Sequence, residues 1–215
     1  MLSTILRHLF FGLIIRPIVM LALGLNVRNR IRLPKDGPAI IIANHNSHLD
    51  TMVLMTLLPI NILNKVHPVA AADYFLRNRF LAWFALSIVG IIPLDRQIKG
   101  MHKDPLAGAS EALSCGKILI LFPEGSRGEP EQMSILKNGI SHLAKRHPDV
   151  PTTPIFLHGL GKALPKGEAI LVPFFCDVFV GKPLFWQGSR QQYMTELNNQ
   201  FDSLADQFPH SDECS

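Results

Sequence analysis

The chain has 215 residues, enough for one domain with a short appendage. Hydrophobic residues make up 47% of it, which excludes a disordered chain. Only three cysteines occur, Cys115, Cys176 and Cys214, with no CxxC pair, which excludes a disulfide-stapled module and suits a reducing compartment. The formal net charge of +4 is unevenly spread. Residues 1–35 hold Arg7, Arg16, Arg28, Arg30, Arg32 and Lys35 and no acid, whereas beyond Arg190 the only charges are Glu196, Asp202, Asp206, Asp212 and Glu213. A basic, apolar N-terminal end points to an anionic lipid surface. It does not point to nucleic acid, because these cations sit among Leu, Ile and Phe rather than among exposed polar and aromatic residues.

Leu9 to Leu25 reads LFFGLIIRPIVMLALGL, with Arg16 and Pro17 at its centre. A spanning helix needs about 20 apolar residues with few or no charges. Proline lacks the N–H that a helix interior uses and biases its predecessor away from helical geometry. The segment therefore predicts two short helices, near 2–15 and 17–26, meeting at Arg16-Pro17 as an apolar hairpin that inserts in a membrane without spanning it. A kinked single span and a buried helix pair are the alternative parses. No A-x-A-like cleavage site closes the stretch, so a signal peptide fits poorly. Residues 1–33 are thus expected to anchor, and residues 34–215 to form the domain that works.

From Pro38 onward short apolar runs alternate with amphipathic stretches. The run PAIIIA over 38–43 predicts a buried strand, followed by a helix from Asp50 to Leu58 stopped by Pro59. A strand is expected at 67–72, a helix over 74–88 and a short strand at 90–94. Pro105 to Cys115 predicts a helix, KILILF over 117–122 a buried strand, and Leu136 to His147 another helix. Strands follow near 152–158 and 174–179. Tyr193, Leu197, Phe201, Leu204 and Phe208 then form one apolar stripe, which predicts an amphipathic closing helix. This alternation predicts an α/β domain with a mostly parallel sheet flanked by helices.

Polar residues capable of chemistry gather where strands end, where α/β folds place their sites. The first cluster is Asn44-His45-Asn46-Ser47-His48-Leu49-Asp50. A carboxylate at Asp50, folded back onto the His45 imidazole, would fix its tautomer and leave the second ring nitrogen as a base. Two other readings stay open here: Asp50 as a mere helix cap beside a loop histidine, or His45, His48 and Asp50 as metal ligands, although the spacing is not H-E-x-x-H. The second cluster, GIIPLDR over 90–96, delivers Arg96 from a strand end; its plain reading is a surface Asp–Arg pair. The third, FPEGSR over 122–127, follows the strongest strand and offers Glu124, Gly125, Ser126 and Arg127, the last a planar fork suited to phosphate. A fourth, VPTTPI over 150–155, carries no chemistry of its own.

In this order the clusters resemble the glycerolipid acyltransferase family, whose bacterial type member acylates 1-acylglycerol 3-phosphate. NHNSHLD is similar to its N-H-x4-D motif, GIIPLDR to G-x-I-x-x-[DE]-R, FPEGSR to F-P-E-G-[ST]-R, and VPTTPI to its proline-containing fourth motif. Leu136-Lys137-Asn138-Gly139 is similar to a basic turn that often follows the third motif, and residues 180–184 to a common late strand end. The resemblance covers about residues 36–183. Ser126 stands where threonine is commoner, and Pro93 where an aromatic or aliphatic residue is frequent, so the resemblance leaves the acceptor's identity open.

The resemblance implies a membrane-associated acyltransferase in which His45, oriented by Asp50, deprotonates a glycerol hydroxyl that attacks an acyl thioester directly. The sequence holds no G-x-S-x-G elbow, so no acyl-enzyme is expected. Arg96 and Arg127, with Lys137 beside them, are implied to bind the acceptor's phosphate. Glu124, Gly125 and Ser126 are implied to line the acceptor site, with backbone N–H groups around Gly125 meeting the oxyanion. No metal or bound cofactor is implied; acyl-CoA or acyl carrier protein is the cosubstrate, a lysophospholipid the acceptor, and the cytoplasmic face of the inner membrane the expected location. Another lysophospholipid or a lyso-aminolipid is the alternative acceptor. A silent membrane-binding protein and a hydrolase are the outsiders.

Overall fold

The computed structural model describes residues 2–47, 49–75, 78–94, 104–125, 135–163 and 174–207. Its centre is a seven-stranded sheet in the order β1-β7-β6-β2-β5-β3-β4. The strands are β1 (Leu23–Arg28), β2 (Ala39–Ala43), β3 (Val66–Ala71), β4 (Ile92–Leu94), β5 (Ile118–Leu121), β6 (Thr152–His158) and β7 (Phe174–Val180). Strands β2 to β6 run parallel where they pair; β7 is antiparallel to β6, and β1 runs parallel to β7. The expected α/β class with a mostly parallel sheet is therefore the one the chain adopts.

The central strand shows why the sheet sits where it does. All five residues of β2 are buried, the near-continuous apolar pattern of a strand covered on both faces. Ala39, Ile41 and Ala43 join one core with α3 (Leu49–Leu57), whereas Ile40 and Ile42 join the other. That second core is closed by α6 (Ala107–Ser114), α7 (Gly139–Arg146) and α9 (Arg190–Ala205), the last through Tyr193, Leu197, Phe201 and Leu204. Each such fully buried side chain contributes about 1.5–3 kcal/mol relative to exposure. Phe208, expected on the same stripe, lies outside the described residues. The helix expected over 74–88 is divided among α4 (Ala72–Phe75), α5 (Arg79–Phe84) and a π-helical stretch at Ala85–Val89.

The N-terminal segment corrects the expected hairpin. It is one continuous helical stretch: α1 (Leu2–Leu9), a π-helical turn over Phe10–Ile15, and α2 (Arg16–Ala22). Arg16 keeps helical dihedrals, φ −59° and ψ −49°, and its N–H donates five residues back to the Phe11 carbonyl. A wide turn just before Pro17 shifts the hydrogen-bond ladder, so the missing proline N–H does not break the helix. The second helix, expected over 17–26, stops at Ala22. Residues 23–28, expected within the anchor over 1–33, instead form β1, an edge strand of the sheet paired with β7 from Leu23–Phe174 to Arg28–Phe179.

Two arginines hold this helix on the domain. The guanidinium of Arg7 is buried and donates to the carbonyls of Val66 and Val89, the latter at 3.0 Å. Burial pushes its pKa down to about 10, still a cation at neutral pH. Gly90 adopts φ +74°, and a Cβ there would stand 2.7 Å from Arg7 Nη1, so the glycine serves both the turn and the approach of the guanidinium. Arg16 donates to the Leu58 carbonyl. From the same helix Phe11 and Val19 enter the core.

The outer side of the helix is apolar and open. Leu2, Ile5, Leu9 and Leu13 are exposed, and residues 2–21 are by length and composition apolar enough to cross a membrane. Beside it α5 and the following π turn add exposed Phe80, Trp83 and Leu86, joined to the N-terminal helix by an edge-to-face contact of Phe10 with Phe84 at 5.2 Å.

Candidate active site

The loop between β2 and α3 wraps around one carboxylate. Asp50, in the first turn of α3, is fully buried, and its Oδ2 accepts from the backbone N–H groups of Asn46 at 2.7 Å and Ser47 at 2.8 Å. The same oxygen lies 2.8 Å from His45 Nδ1. Carboxylates are favoured in a first helical turn, where unsatisfied N–H groups and the helix dipole meet negative charge. Asp50 is thus a helix-start residue and the partner of His45 at once, so the helix-cap reading and the pair reading describe one geometry. With Nδ1 facing a carboxylate, the Nε2 atom is the basic end of the ring. The His45 side chain keeps 21% of its surface exposed, so the pair is reachable from one side.

The strand next in the sheet supplies the floor. β5 runs parallel to β2, so the residues that follow both strands emerge at the same edge. Phe122 stacks on the His45 ring, centroids 4.1 Å apart and 20° from parallel. Glu124, itself buried, accepts the backbone N–H of His45 at 2.9 Å. The resemblance implied a contact of Glu124 with the acceptor; in this structure its Oε1 holds the backbone of His45.

Gly125 has φ +75°, a conformation in which L side chains are strained, and a Cβ there would stand 2.9 Å from Lys137 Cε. The Lys137 chain therefore lies across the glycine, and its own N–H donates to the Pro123 carbonyl at 2.9 Å. This brings Lys137 to the Glu124-Gly125 turn. The Gly125 N–H donates to the Phe122 carbonyl at 3.0 Å, so the turn itself engages the donor expected to meet an oxyanion. Arg96, Ser126, Arg127 and His48 lie outside the described residues.

Three residues matter here that the sequence did not single out by role. Asn44, fully buried, clamps β2 to β6 by donating to the Leu157 carbonyl at 2.8 Å and accepting the Leu157 N–H at 2.7 Å. Phe122 was quoted as part of a motif, but its stacking partner is set by sheet order. The Asn46 side chain is buried beside His45, and neither of its amide atoms has a hydrogen-bond partner among the described residues. Among the described residues no group of three His, Cys, Asp or Glu stands close enough to hold a metal ion.

Comparison with known proteins identifies the family. Residues 24–158 match the family model described as Acyltransferase. The chain is 30% identical over 162 residues to the chloroplastic 1-acyl-sn-glycerol-3-phosphate acyltransferase of Arabidopsis thaliana, covering 74% of this chain and 43% of that protein. It is 26% identical over 186 residues to human 1-acyl-sn-glycerol-3-phosphate acyltransferase alpha, covering 86% of this chain and 61% of the relative. In fold it is similar to the 1-acyl-sn-glycerophosphate acyltransferase PlsC of Thermotoga maritima, with a TM-score of 0.73 and 19% identity, over 95% of this chain and 79% of that one. The chain thus spans about half the length of the curated relatives it matches first.

Proposed function

This chain belongs to the acyltransferase family, and we propose that it moves a fatty acyl group from acyl-CoA or acyl carrier protein to 1-acyl-sn-glycerol 3-phosphate, forming phosphatidate. The observation that carries the reading is the His45–Asp50 pair, 2.8 Å apart and held in a loop whose backbone N–H groups converge on the carboxylate. Two relatives whose names state this acceptor support the choice of substrate.

The steps balance without a covalent enzyme intermediate. His45 Nε2 accepts the proton of the acceptor hydroxyl while Nδ1 stays hydrogen-bonded to Asp50. The hydroxyl oxygen bonds to the thioester carbonyl carbon, the C–S bond breaks, and the imidazolium returns its proton to the leaving thiolate. General-base assistance of this kind is worth about 10²–10⁴ in rate. Arg96, Arg127 and Lys137 hold the acceptor's phosphate, and Ser126 is assigned to the acceptor site by its motif; bidentate guanidinium contacts suit that group. The N-terminal helix, with its exposed Leu2, Ile5, Leu9 and Leu13, rests in the cytoplasmic face of the inner membrane, so that lipid acceptor and product need not enter water. The two arginine tethers favour insertion beside the domain over a span that leaves it.

Mass spectrometry of products tests the reading. Purified protein receives long-chain acyl-CoA, or acyl carrier protein loaded with the same chain, and an equimolar panel of lysophospholipids. Phosphatidate is the expected main product, and His45→Ala is expected to form almost none. Another diacyl lipid as main product would keep the chemistry and overturn the acceptor; free fatty acid alone would make the protein a hydrolase.

A further inference from the structure

A second concentration of positive charge lies away from His45. A cavity of about 530 Å3 opens between α2, β1 and the C-terminal end of α3. Asp50 stands in the first turn of α3 and Leu57 is its last residue, which puts the two about 10 Å apart along the helix axis.

The lining of the cavity divides by chemistry. Arg16, Arg30 and Lys35 supply cations, Val19, Leu25 and Leu57 belong to an apolar wall, and among the described residues no Asp or Glu lines it. Other cations of the same basic run are engaged on the sheet: Arg28 lies over the Phe179 ring at 5.6 Å, and Arg32 donates to the Val180 carbonyl at 3.0 Å. Among the described residues none of the three cavity cations forms an ion pair with a carboxylate. Asp36, beside Lys35 in sequence, pairs with Lys65 instead. Burial first, and then the neighbouring charge of Arg30, lower the pKa of Arg16.

Cations that face one another over a half-apolar space, with no acid between them, suit a ligand that is anionic at one end and apolar at the other. The rim points to where such a ligand comes from. Met20, a lining residue, is 77% exposed, and its neighbour Leu21 is also open to solvent. Both belong to the apolar N-terminal helix, and this step rests on the reading above that the helix lies in a membrane. We propose that this cavity binds an anionic membrane phospholipid, with Arg30 and Lys35 on its phosphate, Arg16 reinforcing their field, and the apolar wall against the upper acyl chain. The site is separate from the acyl-transfer centre and does not depend on what is transferred there.

Photolabelling locates it. Full-length protein is bound to phosphatidylcholine vesicles doped with phosphatidylglycerol that carries a diazirine in one acyl chain, and cross-links are mapped by peptide mass spectrometry. Cross-links are expected on Val19, Leu25 and Leu57. Normalised to vesicle-bound protein, they should fall about tenfold or more in Arg30→Ala/Lys35→Ala, since each cation near a lipid surface contributes about 1 kcal/mol. The charge-matched control Lys182→Ala/Arg190→Ala should keep them. Cavity residues without cross-links, or yields equal in the Arg30/Lys35 variant and wild type, would overturn the proposal. Cross-links abolished by added inorganic phosphate would assign the cavity to a free anion and overturn the lipid. Acyl transfer measured on the same samples reports on the centre around His45 and Asp50, so its failure leaves this result standing.

Discussion

Glu124 reaches across 79 positions of sequence to accept the backbone N–H of His45 at 2.9 Å. The bond ties the loop after β5 to the loop after β2, and it fixes the main chain from which the His45 ring projects. In this geometry Glu124 is a positioning residue for His45.

Removing that carboxylate tests the role. Glu124→Ala leaves the His45 N–H without its acceptor, a loss of about 1–3 kcal/mol. The expected result is a kcat about 10- to 100-fold lower with an acceptor KM close to wild type. Glu124→Gln keeps an amide oxygen in the same place and should recover most of the rate. A variant with a raised acceptor KM and unchanged kcat would move Glu124 from the base to the acceptor.

Asp50 carries two tasks on one oxygen. It accepts from the loop N–H groups of Asn46 and Ser47 and faces His45 Nδ1. Asp50→Asn keeps an oxygen but adds an N–H2 group, which favours the wrong ring tautomer or the loss of a loop bond. Steady-state turnover should fall about 10²–10⁴-fold, with a circular dichroism spectrum like that of wild type. A rate within a few fold of wild type would remove Asp50 from the mechanism.

The helix tether can be released at Arg7. Arg7→Met deprives the buried Val66 and Val89 carbonyls of their shared donor, which costs about 1–3 kcal/mol. Chymotrypsin should then cut after Phe10 and Phe11 faster than in wild type, because undocking frees the segment from the domain. Equal cleavage rates would show that apolar packing of Phe11 and Val19 alone holds the helix.

Truncation separates anchor from fold. Starting the chain at Leu23 removes the helix and keeps β1, so the protein should leave membranes in a flotation assay while β1 still pairs with β7. Starting it at Val27 also removes Leu23, buried in the core, and most of the β1–β7 ladder. Its Tm should lie below that of the shorter truncation. Retention of the shorter truncation on membranes would refute the anchoring role of the helix.

His67 makes stability pH-dependent. Its ring lies next to Gly90, with Nδ1 2.7 Å from the carbonyl, and burial above all, with the charges of Arg7 and Lys117, holds its pKa below the usual 6.5. The unfolded chain therefore binds more protons than the folded one as pH falls below 6.5. This contribution to stability is complete above that value and is lost as pH falls toward the folded-state pKa. Tm should drop on acidification from about pH 6.5, and His67→Gln should drop less steeply. Parallel Tm–pH curves for the two proteins would assign the acid sensitivity elsewhere.

The strands around the site were legible in the sequence because burial on both faces imposes continuous apolar runs: Ile40–Ile42 and Ile118–Leu121 could be little else. His45 and Asp50 were legible as a pair because a loop entering a helix can bring positions five apart together. Arg96, Ser126 and Arg127 rest on motif resemblance alone. β1 was hidden, because LGLNVR continues an apolar helix without a break and only its hydrogen bonds to β7, about 150 residues on, make it a strand. Pro17 misled for a similar reason. A local rule forbids it within a helix, and the π turn beside it, with Arg16 held on the Leu58 carbonyl, makes room.

By itself the sequence determined the α/β alternation, the apolar character of the N-terminal segment and the pairing of His45 with Asp50, all consequences of short-range periodicity and spacing. Tertiary structure alone decided that β5 lies beside β2. Phe122 therefore stacks on His45, Glu124 holds its backbone and Lys137 lies over Gly125. It also decided that Arg16, Arg30 and Lys35 share one cavity. Such contacts depend on which distant strands and helices pair, and that choice is made by the packing of two whole cores rather than by any local run of residues.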